Sequence, residues 1–225
     1  MTNAHPFWIA FGDVHDHLEN IDRIPDLAQA AKVIITGDLT ILGGVAEAKR
    51  VVDHVRAINP RILAQIGNMD LAPVEAWLEG EGLGMHRKAM ELAPGLGLMG
   101  VGWSTPTPFG TPSEASDAQL KTWLDETYEK AREFKHLILV SHTPPLGGKS
   151  DVIGSGAHVG SQAVRDFIDR VKPDLCLTGH IHEARSVEKI GETLVINPGE
   201  FASGGYVRVD FDGRVVTAEL KDARA

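Results

Sequence analysis

The chain has almost no thiol. Its single cysteine, Cys176, excludes an intrachain disulfide and fits a reducing compartment. Cys176 lies in the apolar run Leu175-Cys176-Leu177, so an inert core thiol is expected. Basic residues are also scarce: 22 Lys and Arg against 31 Asp and Glu give a formal net charge of −9. With no basic stripe to neutralise phosphates, general nucleic-acid binding is excluded. A small phosphorylated substrate is not, because bound cations reverse the local field. No apolar run approaches the ~18 residues of a membrane span. Met1 to Phe11 has no basic stretch and only a short apolar one, so neither leader nor anchor is expected. The expected location is the cytoplasm. There is no repeat, linker or low-complexity tract. At 225 residues, one domain spanning 1–225 is expected, and nothing in the sequence sets the oligomeric state.

What is present begins as βαβ. Phe7 to Gly12, Val33 to Thr36 and Arg61 to Ile66 read as buried parallel strands. Leu18 to Ala31, interrupted near Pro25, and Val45 to Ile58 read as the crossover helices. Met85 to Trp103 reads as two strands joined by Pro94-Gly95, followed by a proline-bearing loop from Ser104 to Ser113. Leu120, Trp123, Leu124, Ala131 and Phe134 mark one face of a helix, as do Val164, Phe167, Ile168 and Val171. Leu137 to Val140 and Leu175 to Thr178 are further buried strands. The C-terminal part turns antiparallel. Gly191-Glu192 suits a type II′ hairpin and Asp212-Gly213 a type I′ hairpin. The expected architecture is α/β, with two mixed sheets packed face to face and helices outside.

Polar residues with metal-binding side chains follow these strands: Asp13-Val14-His15, Gly37-Asp38, Gly67-Asn68, His142, and Gly179-His180-Ile181-His182. Each block alone has an ordinary reading as a turn, a cap or a loop histidine. Jointly they supply two carboxylates, one amide oxygen and four imidazoles at the carboxyl ends of strands, where functional groups collect in open parallel sheets. One tetrahedral zinc is satisfied by about four groups. The surplus suits two ions sharing a carboxylate, which can clamp the attacking and leaving oxygens of a phosphoryl centre. Imidazole with carboxylate favours Zn, Mn, Fe or Ni over Ca. The glycines before Asp38, Asn68 and His180 are expected to let the backbone turn tightly.

These blocks, in this order, resemble the signature of the calcineurin-like metallophosphoesterases: D-x-H, GD, GN, H and GHxH. The resemblance continues through Asn197-Pro198-Gly199. It implies a four-layer α/β/β/α sandwich and a centre of two divalent ions. Asp13, His15 and His182 would hold one ion, Asn68, His142 and His180 the other, and Asp38 would bridge them. It also implies in-line attack on phosphorus by a metal-bridging hydroxide, with Asp38, Asn68 and His142 at the reacting centre. The sequence departs from the family where many members carry a leaving-group histidine after GN. Here the block is Gly67-Asn68-Met69-Asp70, and Met69 cannot donate a proton. In this it resembles a small prokaryotic branch associated with phosphodiesters. Asp70 is expected to cap the helix near Pro73 or to support the site.

His158, in a glycine-rich loop, is a candidate proton donor opposite His142. Lys149 and Arg185 are candidates to meet a phosphate. Trp103 and Pro106 to Pro112 are candidates for a substrate rim. His5, His17, His54, His86 and His136 read as surface residues. Phosphodiesters are therefore expected as substrates ahead of unactivated monoesters. Two rivals are an amidohydrolase, suggested by His15-Asp16-His17, and a non-catalytic scaffold on the same fold. The first leaves Gly37-Asp38 and Gly67-Asn68 unexplained. The second need not keep its ligands, and here all seven are present.

Overall fold

The computed structural model describes residues 5–225. The expectation about a leader bears partly on residues 1–4, which lie outside the described residues. Strands β1 (Phe7–Phe11), β2 (Lys32–Ile35) and β3 (Ile62–Ala64) are parallel neighbours. β10 (Gly205–Phe211) and β11 (Val216–Asp222) extend their sheet antiparallel, in the order β11-β10-β1-β2-β3. The second sheet runs β4-β5-β6-β7-β9-β8. Its parallel centre is β5 (Leu96–Val101), β6 (His136–Ser141), β7 (Leu175–Leu177) and β9 (Thr193–Asn197). β4 (Lys88–Ala93) and β8 (Ser186–Ile190) flank it antiparallel.

The period-2 alternation of strand side chains sorts the residues of β1 into two layers. Trp8 and Ala10 point between the sheets, meeting Leu98, Ile138, Val140 and Leu177. Ile9 and Phe11 point outward, to a core shared with Val51, Val52 and Val55 of α1 (Val45–Ile58) and Val74 and Leu78 of α2 (Ala72–Gly80). On the other side, Met99, Leu139 and Cys176 pack on Leu120 and Leu124 of α3 (Asp117–Ala131) and Val164, Phe167 and Ile168 of α4 (Gln162–Val171). The result is the four-layer α/β/β/α sandwich. Cys176 is fully buried, and burial, aided by Glu188, pushes its thiol pKa up. No described helix is long and apolar enough to cross a membrane.

Two local expectations are corrected. Leu18 to Ala31 is not a helix but two 3-10 turns, Ile21–Arg23 and Leu27–Gln29. Pro25 removes a donor, and Asp26 adopts a left-handed backbone (φ 59°). Hydrogen bonds to distant parts of the chain hold the broken segment in place. Asn59 Nδ2 donates to Leu27 O at 2.8 Å and Ala30 O at 2.9 Å, and Asn20 Nδ2 donates to Phe201 O at 2.9 Å. The hairpin at Asp212-Gly213 is four residues long, not two, since Phe211 pairs with Val216. Asp212 Oδ1 accepts from the Arg214 and Val215 amides, both at 2.8 Å, which makes an Asx turn of it.

Candidate metal centre

Five parallel strands deliver their carboxyl ends to one edge of the sandwich: β1, β2 and β3 from one sheet, β6 and β7 from the other. Asp13, Asp38, Asn68, His142 and His180 lie within four residues of those ends. The two sheets are tied together there. His180 N donates to both oxygens of Asp13, at 3.0 and 3.2 Å. Buried Gln65 donates to Thr36 O at 3.2 Å and Val140 O at 3.3 Å. Asp13, His15, Asp38 and His180 all have positive φ, from 48° to 68°. That region is uncommon for non-glycine residues, and such strain concentrates at functional sites.

All seven expected residues come together. One ligand atom each from Asp13, His15 and His182 lies within 4.8 Å of the others, as for Asp13, Asp38 and His142. Asn68 Oδ1 faces His180 Nδ1 at 2.7 Å and His142 Nε2 at 3.2 Å. His15 Nε2 faces His182 Nε2 at 3.0 Å. Asp38 stands between the groups, with Oδ2 at 3.4 Å from His142 Nε2 and 3.8 Å from His15 Nε2. Its Oδ1 accepts the Met69 N–H at 2.8 Å.

The donor set fits cations. Asp13 and Asp38 are both 1% exposed. Among the described residues neither has a Lys or Arg within ion-pair reach; only histidines face them. Buried charge needs a partner. Burial would raise the Asp13 carboxyl, but the His182 hydrogen bond and the nearby His142, His182 and His15 rings hold it at about 2. Burial opposes charging His142, yet Asp38, Asp13 and Asp70 push its pKa up to about 9. The hydrogen bond to Asp13 raises His182, against burial. Burial and then the charge on His142 push His180 down to about 4. A proton on His142 thus offsets the carboxylates, in the place a divalent ion would take.

The three glycines serve the site chiefly by leaving space. A Cβ at Gly67 would overlap Asp38 Oδ1, one at Gly179 would overlap Asp13 Oδ2, and one at Gly37 would overlap His142 Nδ1. Only Gly37, at φ 135°, also needs the backbone freedom expected of all three.

Other expectations fare differently. His158 does not join the seven: its Nδ1 bonds buried Asp151 Oδ1 at 2.8 Å, and it does not line the cavity over the cluster. Arg185 is turned to Asp222 at 3.2 Å, and neither it nor Lys149 lines the cavity. Pro106 and Pro108 do form its rim, whereas Trp103 packs on Trp123 and donates Nε1–H to Glu75 at 2.6 Å. Asp70 is not a helix cap, since Leu71 holds that position. Its fully buried carboxylate accepts from the amides of Leu39, Thr40 and Gly67 and from Thr40 Oγ1, at 2.8–3.1 Å, joining the Asp38 and Asn68 loops. Burial, and then the charge on Asp38, push its pKa up to about 7. Nor are His86 and His136 free surface residues: His86 accepts the Gly102 N–H at 3.0 Å, and His136 pairs with Asp174 at 3.0 Å. Sequence reasoning missed Thr111, whose hydroxyl accepts from Asn68 Nδ2 at 3.1 Å. Nothing local to Thr111 signals that role.

Residues 114–220 match the family model described as "Metallophosphoesterase, calcineurin superfamily". An uncharacterized protein of Methanocaldococcus jannaschii is 30% identical over 197 residues, 84% of this chain and 86% of the relative. The chain belongs to the calcineurin superfamily of metallophosphoesterases. Solved structures share the fold of this metallophosphoesterase at low identity. TT1561 of Thermus thermophilus superposes with a TM-score of 0.72 at 18% identity, over 98% of this chain and all of that one. A dimetal phosphatase from Danio rerio gives 0.64 at 11% identity, over 98% and 97%. Membership makes the metallophosphoesterase a phosphoester hydrolase in the broad sense.

Proposed function

We propose that this chain hydrolyses phosphodiesters, and monoesters with good leaving groups, at a dinuclear centre held by Asp13, His15, Asp38, Asn68, His142, His180 and His182. The observation that carries the reading is the placement of Asp38, whose Oδ2 faces His142 of one donor group and His15 of the other. The bound ions would supply Lewis acidity and lower the pKa of bound water from about 15.7 towards 7. The protein's own part is positioning. Met69 N fixes the Asp38 carboxylate, and the His180 amide fixes Asp13. Thr111 fixes the Asn68 amide with its oxygen towards the imidazoles.

Among the described residues lining the cavity there is no histidine outside the donor set, and no Lys or Arg, to give the leaving oxygen a proton. Met69, which lines the cavity, cannot donate a proton, and His158 is turned to Asp151. General-acid help is worth about 10²–10⁴-fold for poor leaving groups, so its lack supports esters whose leaving group departs unaided. The test compares p-nitrophenyl diesters with alkyl monoesters, on the protein with Mn²⁺ added, in wild type and Met69→His. Wild type should favour the p-nitrophenyl diester, and Met69→His should narrow the gap. Equal rates on both substrates in wild type would overturn the preference. The substrate is taken to be small, and no membrane or general nucleic-acid partner is proposed. A single domain and a cytoplasmic location remain part of this proposal.

A further inference from the structure

The cavity over the donor cluster has a volume of about 1050 Å³, and its walls are of two kinds. Its floor carries five of the seven donors, His15, Asp38, Asn68, His180 and His182. The rest of its lining is mostly apolar, and the apolar side chains come from separate segments: Leu42 and Met69 beside the donor loops, Phe109 from the 104–113 loop, and Ile153 and Val159 from the loop before α4, with threonines, Ser155 and Glu183 between them. Phe109 is 86% exposed, Leu42 55% and Val159 37%. Apolar side chains gathered around a cavity mouth mark a binding surface, whereas single scattered ones need no explanation. The Phe109 loop is also braced. Glu114 Oε1 accepts from Thr111 N at 2.8 Å, Thr111 Oγ1 at 2.6 Å and Thr107 Oγ1 at 2.7 Å, and Phe109 N donates to Thr107 Oγ1 at 3.2 Å. Phe109 is thus held in solvent by its own loop.

Charge narrows what could cover these walls. Among the described residues lining the cavity there is no Lys or Arg, and the one carboxylate above the cluster belongs to Glu183. A second phosphate or a carboxylate on the substrate would find no protein cation there. From the continuity of the apolar walls with the donor cluster, we infer that the substrate is an amphiphilic phosphodiester. Its phosphoryl group sits on the cluster, and an uncharged apolar substituent lies against Phe109, Val159, Ile153 and Leu42. This rests on the phosphodiester reading above and adds the chemical class of the substituent.

The test uses the full chain with Mn²⁺ and p-nitrophenyl alkyl phosphates with methyl, butyl and octyl groups, each below its micelle concentration. Burying one methylene can raise kcat/KM by up to about fourfold. We expect a steady rise from methyl to octyl, at least tenfold in all. Phe109→Ser and Val159→Ser should flatten it. Val215→Ser, an exposed apolar residue on the β10–β11 turn, should leave the trend unchanged. A flat series in wild type overturns the inference, as does an equally steep one in both cavity variants. A terminal carboxylate on the octyl chain should lower kcat/KM, and an increase overturns the charge argument. Calorimetric binding of octylphosphonate and methylphosphonate separates the two proposals. If no diester is cleaved, the phosphodiester reading fails, while tighter octyl binding that Phe109→Ser weakens still supports the apolar subsite. Equal affinities overturn it.

Discussion

Thr111 holds Asn68 from behind: the threonine hydroxyl accepts the asparagine Nδ2–H at 3.1 Å and donates its own proton to Glu114 at 2.6 Å. An amide has an oxygen end and a nitrogen end, and this bond selects which faces the imidazoles. Groups behind a metal ligand typically tune affinity or activity about 10–100-fold. Thr111→Val keeps the shape and removes the acceptor. It should weaken Mn²⁺ binding about tenfold by calorimetry, and Thr111→Ser should restore it. Unchanged affinity in Thr111→Val would show that Asn68 needs no such support.

Asp70 joins two donor loops through four hydrogen bonds. Asn at this position keeps the shape but turns one acceptor into a donor facing backbone N–H groups. Leaving a buried polar group unpaired costs about 1–3 kcal/mol. Asp70→Asn should lose about that much stability in urea unfolding and bind metal less tightly. A variant as stable as wild type would contradict the bracing role.

The glycine prediction is steric. Gly67→Ala and Gly179→Ala each drive a methyl into a donor carboxylate, whereas at Gly80 on α2 a methyl meets no atom within 4 Å. The first two should lose most metal binding and hydrolysis while the far-ultraviolet circular dichroism stays native. Gly80→Ala should behave as wild type. Near-normal metal binding in both site variants would mean the loops shift at little cost.

Burial, then the charge on Arg87, push the His86 imidazole down to about 3. In the unfolded chain a histidine titrates near about 6.5. The neutral ring therefore contributes its full stability above that value. The contribution is lost as pH falls from about 6.5 towards 3, because the unfolded chain takes up the proton first. The slope from one such group is up to about 1.4 kcal/mol per pH unit. His86→Asn keeps an acceptor for the Gly102 amide but does not titrate. Urea unfolding at pH 7, 6 and 5 should show a shallower acid decline for the variant, and parallel profiles would refute this.

The sequence made the candidate ligands legible because each follows an apolar strand, and parallel strands bring their carboxyl ends to one edge. The four layers were legible from the same runs and from the two helical stripes. What escaped depends on partners far along the chain. Leu18 to Ala31 has a helical pattern, yet Asn59 caps its carbonyls from more than 25 residues away. Thr111 meets Asn68 across 43 residues. Gly67 and Gly179 read as turn glycines, and only the fold reveals which carboxylate occupies the space beside each. His158 read as a proton donor from its position in a glycine-rich loop, but buried Asp151 holds its ring.

The central claim is that Asp38 lies between two metal ions, and anomalous diffraction from crystals grown with saturating Mn²⁺ tests it most directly. Two peaks roughly 3.5–4 Å apart are predicted, with an Asp38 oxygen bound to both and the other six residues divided between them. A single peak, or two peaks with Asp38 bound to neither, would contradict the account.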